Sequence, residues 1–287
     1  MSARPGSACG GAARTRSKGN AIGELYVGVL FGVVAAFCWG LGDFLITRLT
    51  RRIGTARALV FIQILSLSFW MLFLVGQPSL RTATPILWLI VLGTAICHVL
   101  GLVFVYRAFE IGTLSIVSPI SSAFAIVTAI LALASGERPP AAALGGAALL
   151  ILGVVLATRS SSDSETPRAV WKGVPEAVAS ALAFGTMFWL FYFFVQPALG
   201  YVWPLIMLKT MAVGSAVLAL LSRWQPVGDS HPPLGFGVVL LAVGAAAADT
   251  LAWLTYIWGT GSTYATVVTA LASLFSVVTV LLAWRFL

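Results

Sequence analysis

Charged side chains are scarce in this sequence. Lys, Arg, Asp and Glu together make up 9% of the residues, whereas soluble domains carry roughly a quarter. Hydrophobic residues make up 60%, and the mean hydropathy is +1.00. A chain of this composition cannot cover a folded core with a polar surface, so a soluble globular domain is excluded. Lipid is the expected solvent for most of the molecule.

Cysteine is also rare, and potential metal ligands are dispersed. Cys9, Cys38 and Cys97 lie far apart, which excludes a disulfide framework and a zinc-ligand spacing. No cluster of carboxylate, His or Cys residues has ligand spacing, and no Gly-rich phosphate-binding loop is present. We therefore expect no metal, no cofactor and no ATP-driven transport. The net charge of +8 comes mainly from the N-terminal tail and the connectors, which is typical of membrane topology and does not indicate nucleic-acid binding.

Long apolar runs are what the sequence has instead. A helix needs roughly 20 mostly apolar residues to cross the hydrocarbon core of a bilayer. Nine runs of this kind predict an all-α, polytopic membrane helix bundle of about nine spans. The runs cover residues 25–46, 57–76, 86–106, 111–135, 141–157, 174–195, 199–221, 234–257 and 262–287.

Polar segments divide the chain into two halves. Residues 1–24 are basic, contain Gly, Ala and Ser, and are expected to form a flexible tail rather than a transit peptide. Residues 159–173 form the one long polar connector. We therefore predict a first repeat of five helices over 25–158 and a second, incomplete repeat of four helices over 174–287.

An internal repeat appears when the third and fourth runs are laid on the eighth and ninth with an offset of 151 residues. Tyr106 also falls one place from Tyr256, each before the turn expected to join its helix pair. Under this register, a second copy of the fifth run is missing after Leu287, which predicts a truncated ten-helix fold or a nine-helix variant. The matched pairs are Gly93 with Gly244, His98 with Asp249, Ser122 with Ser273, Phe124 with Phe275, and Thr128 with Thr279.

Short motifs in the first half resemble a transporter family. They are Trp39-Gly40, then Tyr106-Arg107-Ala108-Phe109 followed by Gly112, then Ser118-Pro119, then Gly136-Glu137. In this order they are similar to the EamA-domain family of the drug/metabolite transporter superfamily, whose members are ten-helix permeases built from two halves. The second half departs from the pattern, because Ala270 stands at the place of Pro119.

The resemblance implies a non-enzymatic permease for a small organic metabolite or drug, in a plasma membrane of the bacterial type. It implies a central cavity between two halves that are inverted relative to each other and alternate between the two faces of the membrane. It also implies a cytoplasmic N-terminus, whereas Lys and Arg are more numerous at the span ends that this orientation places outside. Protons are a candidate coupling ion, and the sequence predicts no oligomeric state.

Ionisable and amide side chains inside the apolar runs are the first candidates for the substrate pathway, since an ionised group there costs roughly 3 kcal/mol on insertion scales. His98 and Asp249 are counterparts in the repeat and are expected to share one cavity, as a substrate-orienting pair or as a proton relay. The alternative is a neutral His and a protonated or hydrogen-bonded Asp that hold helices together. Lys209 is expected to bind a substrate anion or to pair with Asp249, the alternative being an amine that reaches the headgroups. Gln63 holds a comparable place in the other half, where a helix contact explains it equally well.

Asp43 supports two other interpretations. Gly40-Leu41-Gly42-Asp43 has the GxGD form of intramembrane aspartyl proteases, whose catalysis needs a second carboxylate within reach. The alternative is an interfacial Asp that faces Arg48, Arg51 or Arg52.

Aromatic residues complete the candidate pathway. Candidates for lining a cavity and stacking on a flat solute are Trp39, Trp189, Trp253, Trp258 and Tyr256, although most of them are expected in interfacial belts or in lipid-facing packing. Tyr106 is a further candidate for the substrate pathway. A non-transporting receptor or assembly subunit is the remaining alternative function.

Overall fold

The computed structural model describes residues 18–75, 84–138, 171–221 and 235–286, together with positions 141, 145, 148, 149 and 152. These residues are mostly helical and include no strand. Within them, eight helical segments are long and apolar enough to cross a membrane, which confirms the predicted all-α membrane bundle. The described positions of the predicted fifth run are helical, and the rest of that run lies outside the described residues, as do most of the predicted tail and linker. The predicted boundary of the tail at residue 24 is wrong, because the first helix already begins at Lys18.

Eleven α-helices make up the eight spans. A π-helical turn, Phe191–Val195, joins α6 to α7, so that both belong to one span. The pairs α4 with α5 and α10 with α11 each form one broken span. The helices are α1 (Lys18–Ile53), α2 (Thr55–Leu72), α3 (Pro85–Ile111), α4 (Leu114–Ser122), α5 (Phe124–Ala134), α6 (Val174–Leu190), α7 (Gln196–Leu199), α8 (Val202–Leu221), α9 (Phe236–Ser262), α10 (Ala265–Ala272) and α11 (Phe275–Phe286).

Helices continue beyond the apolar runs that predict them. The turn expected directly after Tyr106 is wrong, because α3 continues to Ile111. Charged residues occupy this extension, where Arg107 and Glu110 pair at 3.0 Å on the same helix face. Thr55, at the start of α2, donates to the same Glu110 carboxylate at 2.5 Å. Hydropathy therefore predicts the part of a helix that lies in lipid, but it does not predict where the polar end of that helix stops.

The two broken spans share one local geometry. Ala123 N–H bonds to the carbonyl three residues earlier at 3.1 Å, and Leu274 N–H does the same at 3.1 Å. Just before each break, a serine hydroxyl, of Ser122 or Ser273, donates to the carbonyl three residues earlier at 2.7 Å. Such serine bonds bend helices. The break in α10 and α11 therefore forms without the proline that α4 carries at position 119.

Two glycines bring helices into close contact at equivalent places. The Thr279 hydroxyl donates to the Gly40 carbonyl at 3.2 Å, which joins α11 to α1. The Thr128 hydroxyl donates to the Gly185 carbonyl at 3.0 Å, which joins α5 to α6. A Cβ added at Gly40 or Gly185 would lie only 2.5 or 2.4 Å from a valine side chain. Small residues are what permits such close packing in a membrane.

Candidate functional site

A cavity of about 90 Å³ lies among spans from both halves of the chain. One water molecule needs roughly 10 to 15 Å³ on this measure, so the cavity has room for several waters or a small solute. Its polar lining consists of Asp43, His98, Tyr106, Ser121 and Asp249. Its aromatic lining consists of Trp39, Phe124, Phe184, Phe188, Trp253 and Phe275.

A buried ion pair holds one side of this cavity. Lys209 Nζ in α8 lies 2.6 Å from Asp249 Oδ2 in α9, and the Lys209 side chain is fully buried. The Ser66 hydroxyl in α2 donates to the same oxygen at 2.9 Å. The expected pairing of Lys209 with Asp249 is therefore present, and the alternative in which the amine reaches the headgroups is wrong. Asp249 lines the cavity, and Lys209 supports it from behind.

Asp43 lies in the cavity wall with a carboxyl oxygen that has no partner. Its Oδ2 is buried and accepts no hydrogen bond from the described residues. The nearby arginines point elsewhere, since Arg48 donates to the Phe286 carbonyl at 3.4 Å and Arg51 to that of Gly112 at 3.0 Å. The interfacial interpretation of Asp43 is therefore wrong, because α1 continues past Asp43 and turns its arginines toward other helices.

His98 is the second polar group at the cavity that lacks a partner. It is 2% exposed, and neither ring nitrogen has a hydrogen-bond partner among the described residues. Leaving a buried donor or acceptor unsatisfied costs about 1–3 kcal/mol. The hydroxyl of Ser121, also buried and unpartnered, lines the same cavity. Three unpartnered polar groups at one cavity indicate a place where a solute or water supplies the missing bonds.

The aromatic wall is a contiguous cluster. Phe188 stacks on Trp253 with ring centroids 5.3 Å apart, and Trp39 meets Trp253 edge-on at 6.0 Å. Tyr256 contacts Trp39 and Phe188 from behind and shares a 2.7 Å hydrogen bond with Thr269. An interfacial position is wrong for Trp253, which is 2% exposed.

Gln63 and Tyr106 form a second polar group beside the cavity. The Gln63 side chain in α2 lies at the Tyr106 hydroxyl in α3. Gln63 is 1% exposed, and its amide oxygen has no partner among the described residues. Tyr106 lines the cavity and Gln63 does not. Gln63 therefore contacts a residue of the cavity wall, Tyr106, without lining the cavity itself. Lys209 has the same relationship to Asp249 in the second half.

The family of the first half follows from comparison with family models. Residues 26–159 match the model of the EamA-like transporter family. These residues are an EamA-like transporter domain. The resemblance to the drug/metabolite transporter superfamily is thereby confirmed over this segment, and with eight spans the protein is an integral membrane protein. A search of the curated proteins finds no match to the chain.

The EamA-like domain supplies ten of the sixteen described residues that line the cavity. Trp39, Asp43, His98, Tyr106 and Ser121 lie within the matched segment, whereas Phe188, Asp249 and Trp253 lie beyond it. The cavity is therefore a shared surface between the EamA-like domain and the second half of the chain.

Sequence reasoning missed several residues of this site. Ser66 follows Gln63 by three residues in α2, so both lie on one helix face, and this polar stripe is a signal that the sequence contains. Phe188 carries no such signal, because it is one aromatic residue among many in an apolar run. Among the described residues, no three His, Cys, Asp or Glu side chains come together as metal ligands.

Proposed function

We propose that the protein is a permease that moves a small organic solute across the membrane through the cavity between its halves. The observation that carries this proposal is the set of unpartnered polar groups, on Asp43, His98 and Ser121, at a cavity inside a bundle with an EamA-like domain. Buried polar groups in a membrane are expensive, and they commonly mark a substrate or ion path.

Alternating access of two inverted repeats, 25–158 and 174–287, is the mechanism we propose for this movement. A reciprocal pair of contacts between the halves supports it, since Thr128 of the first half donates to the Gly185 carbonyl of the second, and Thr279 of the second donates to the Gly40 carbonyl of the first. The two broken spans support it as well. Five predicted spans in the first half, an odd number, would make the second half begin on the opposite face of the membrane and run inverted. Exchanging the conformations of inverted repeats opens one face while closing the other.

We propose protons as the coupling ion. His98 and Asp43 line the same wall, and the side chain of each can bind and release a proton. We place the protein in a plasma membrane of the bacterial type, in line with the family resemblance of its first half.

The intramembrane protease alternative is less well supported. Asp43 and Asp249 do line one cavity. An aspartyl protease needs two carboxyl groups that share a proton. Here Asp249 instead forms an ion pair with Lys209 at 2.6 Å. Transport without bond chemistry is therefore the function that we propose.

Flux through liposomes tests the permease proposal. The purified full chain is reconstituted and assayed with amino acids, nucleobases, organic amines and drugs, beside a Lys209→Ala, Asp249→Asn double variant. A Glu176→Gln variant is the matched control, since it removes a carboxylate from the first turn of α6, away from the cavity. We expect solute-specific flux that the double variant loses by about tenfold or more and the control retains. A correctly folded chain that moves nothing from the panel would instead favour a non-transporting subunit.

A further inference from the structure

The two carboxyl groups of the cavity differ in how they are neutralised. Asp249 has Lys209 at 2.6 Å and the Ser66 hydroxyl at 2.9 Å. Asp43 has no cationic side chain against it, and its Oδ2 has no hydrogen-bond partner among the described residues. No Lys or Arg of the described residues lines the cavity. Apart from the imidazole of His98, the ionisable groups with an acid–base function at this wall are the carboxyls of Asp43 and Asp249 and the phenol of Tyr106.

The neighbouring groups suit a solute that donates hydrogen bonds. An imidazole in its neutral form has one accepting nitrogen, and both ring nitrogens of His98 are free of partners among the described residues. The Ser121 hydroxyl is also available to accept. A carboxyl, an imidazole and a hydroxyl without partners together match the donors of an ammonium or amidinium group.

The remaining wall suits a flat ring or the face of a cation. Trp39, Phe188 and Trp253 contact one another and line the cavity. Aromatic faces attract cations and stack on planar rings, and Trp gives the strongest cation–π attraction. An anion in the same place would meet the Asp43 carboxyl and the negative faces of these rings.

We propose that the solute is a small organic cation with a flat ring, bound with its ammonium group at Asp43 and His98 and its ring against Trp39, Phe188 and Trp253. The inference rests on the proposed function, because it assumes that the cavity is the permease's binding site. In this conformation of the protein, the cavity volume of about 90 Å³ restricts the solute to a compact molecule.

Three probes with one ring and different charge test the proposal. Benzylamine, benzyl alcohol and benzoate are titrated calorimetrically against the full chain in lipid nanodiscs. We expect benzylamine to bind at least about tenfold more tightly than benzyl alcohol, which is the change expected for one charge-assisted contact, and benzoate not to bind. Asp43→Asn should reduce the benzylamine affinity by about tenfold, whereas Glu176→Gln should leave it unchanged.

Two outcomes overturn the inference. One is benzylamine binding that is equal in the wild type and in a folded Asp43→Asn variant. The other is preferred binding of benzyl alcohol or benzoate. Asn has the same shape as Asp, so we expect the Asp43→Asn variant to fold. Its folded state is checked by its thermal transition and its elution volume. If liposome flux is found for a neutral or anionic solute while benzylamine does not bind, the cation assignment fails and the permease proposal stands. If neither flux nor binding is found, both fail.

Discussion

The carboxylate of Glu137 accepts a 2.9 Å hydrogen bond from the backbone N–H of Ala265, which lies 128 residues further along the chain. The backbone N–H of Thr266 donates to the same carboxylate at 3.3 Å, and so does the Thr266 hydroxyl. These residues open α10, where backbone N–H groups have no partner within the helix and a negative charge is favoured. Glu137 therefore links the EamA-like domain directly to the second half.

Glu137→Gln is expected to destabilise the bundle. An amide keeps only one oxygen acceptor and loses the charge at the start of α10, so we expect a loss of about 1–2 kcal/mol in the free energy of unfolding. Reversible unfolding in mixed micelles measures this loss, with Glu176→Gln as the control at the start of α6. Equal stability of the Glu137→Gln variant and the control would show that the Glu137 contact contributes nothing beyond the effect of a carboxylate at the start of a helix.

Gly185→Ala is expected to disturb the contact between α5 and α6. The added Cβ would lie 2.4 Å from the Val127 Cβ and 2.8 Å from the Phe124 carbonyl oxygen. Relieving these contacts requires a shift of the helix backbone. Overpacking of this kind costs about 1–3 kcal/mol.

Gly93→Ala in α3 is the matched control, because nothing lies within 4 Å of a Cβ added there. The control should be neutral or slightly stabilising, since Ala favours helix over Gly by about 1 kcal/mol. Thermal transitions in detergent compare the two, and the account is wrong if Gly185→Ala is as stable as Gly93→Ala.

The Lys209–Asp249 pair is expected to show strong coupling in a double-mutant cycle. Removing one partner leaves a buried charge without its counter-ion, so Lys209→Met and Asp249→Asn should each cost about 3–5 kcal/mol. The double variant should lose less than the sum of the two, with a coupling energy of about 1–3 kcal/mol. Unfolding free energies of the four proteins measure this coupling. Additive losses would mean that the 2.6 Å pair contributes nothing beyond its separate side chains.

Much of the architecture is predictable from the sequence, because spanning length and hydropathy are local properties. Eight of the predicted runs coincide with described spans to within several residues. The ends of α1 and α3 were not predictable in this way, since their last turns carry Arg51 and Glu110, which form hydrogen bonds to other helices. The break at Ser273 occurs without a proline, and there the Ser273 hydroxyl donates to the Ala270 carbonyl of its own span.

The site is predictable only where a polar residue interrupts an apolar run. Asp43, His98 and Asp249 stand out for this reason, and all three line the cavity. The direction of a side chain on a helix, and its partner across the bundle, are set by tertiary packing. For that reason Lys209 was a candidate for the cavity wall, although it lies behind Asp249. Phe188 and Trp253 were not distinguished from aromatic residues that face outward, such as Trp258, which is 49% exposed.

The central claim is that solute passes through this cavity, and a cysteine at Ser121 tests it most directly. Ser121 is buried, lines the cavity and has an unpartnered hydroxyl, so a thiol fits in its place. In a variant with Ala at Cys9, Cys38 and Cys97, Ser121→Cys is treated with a methanethiosulfonate reagent in liposomes. Labelling is counted by mass spectrometry while flux is measured. We predict that labelling proceeds, that transported solute slows it, and that flux falls about tenfold or more because the label fills the path. Complete labelling with unchanged flux would contradict the account.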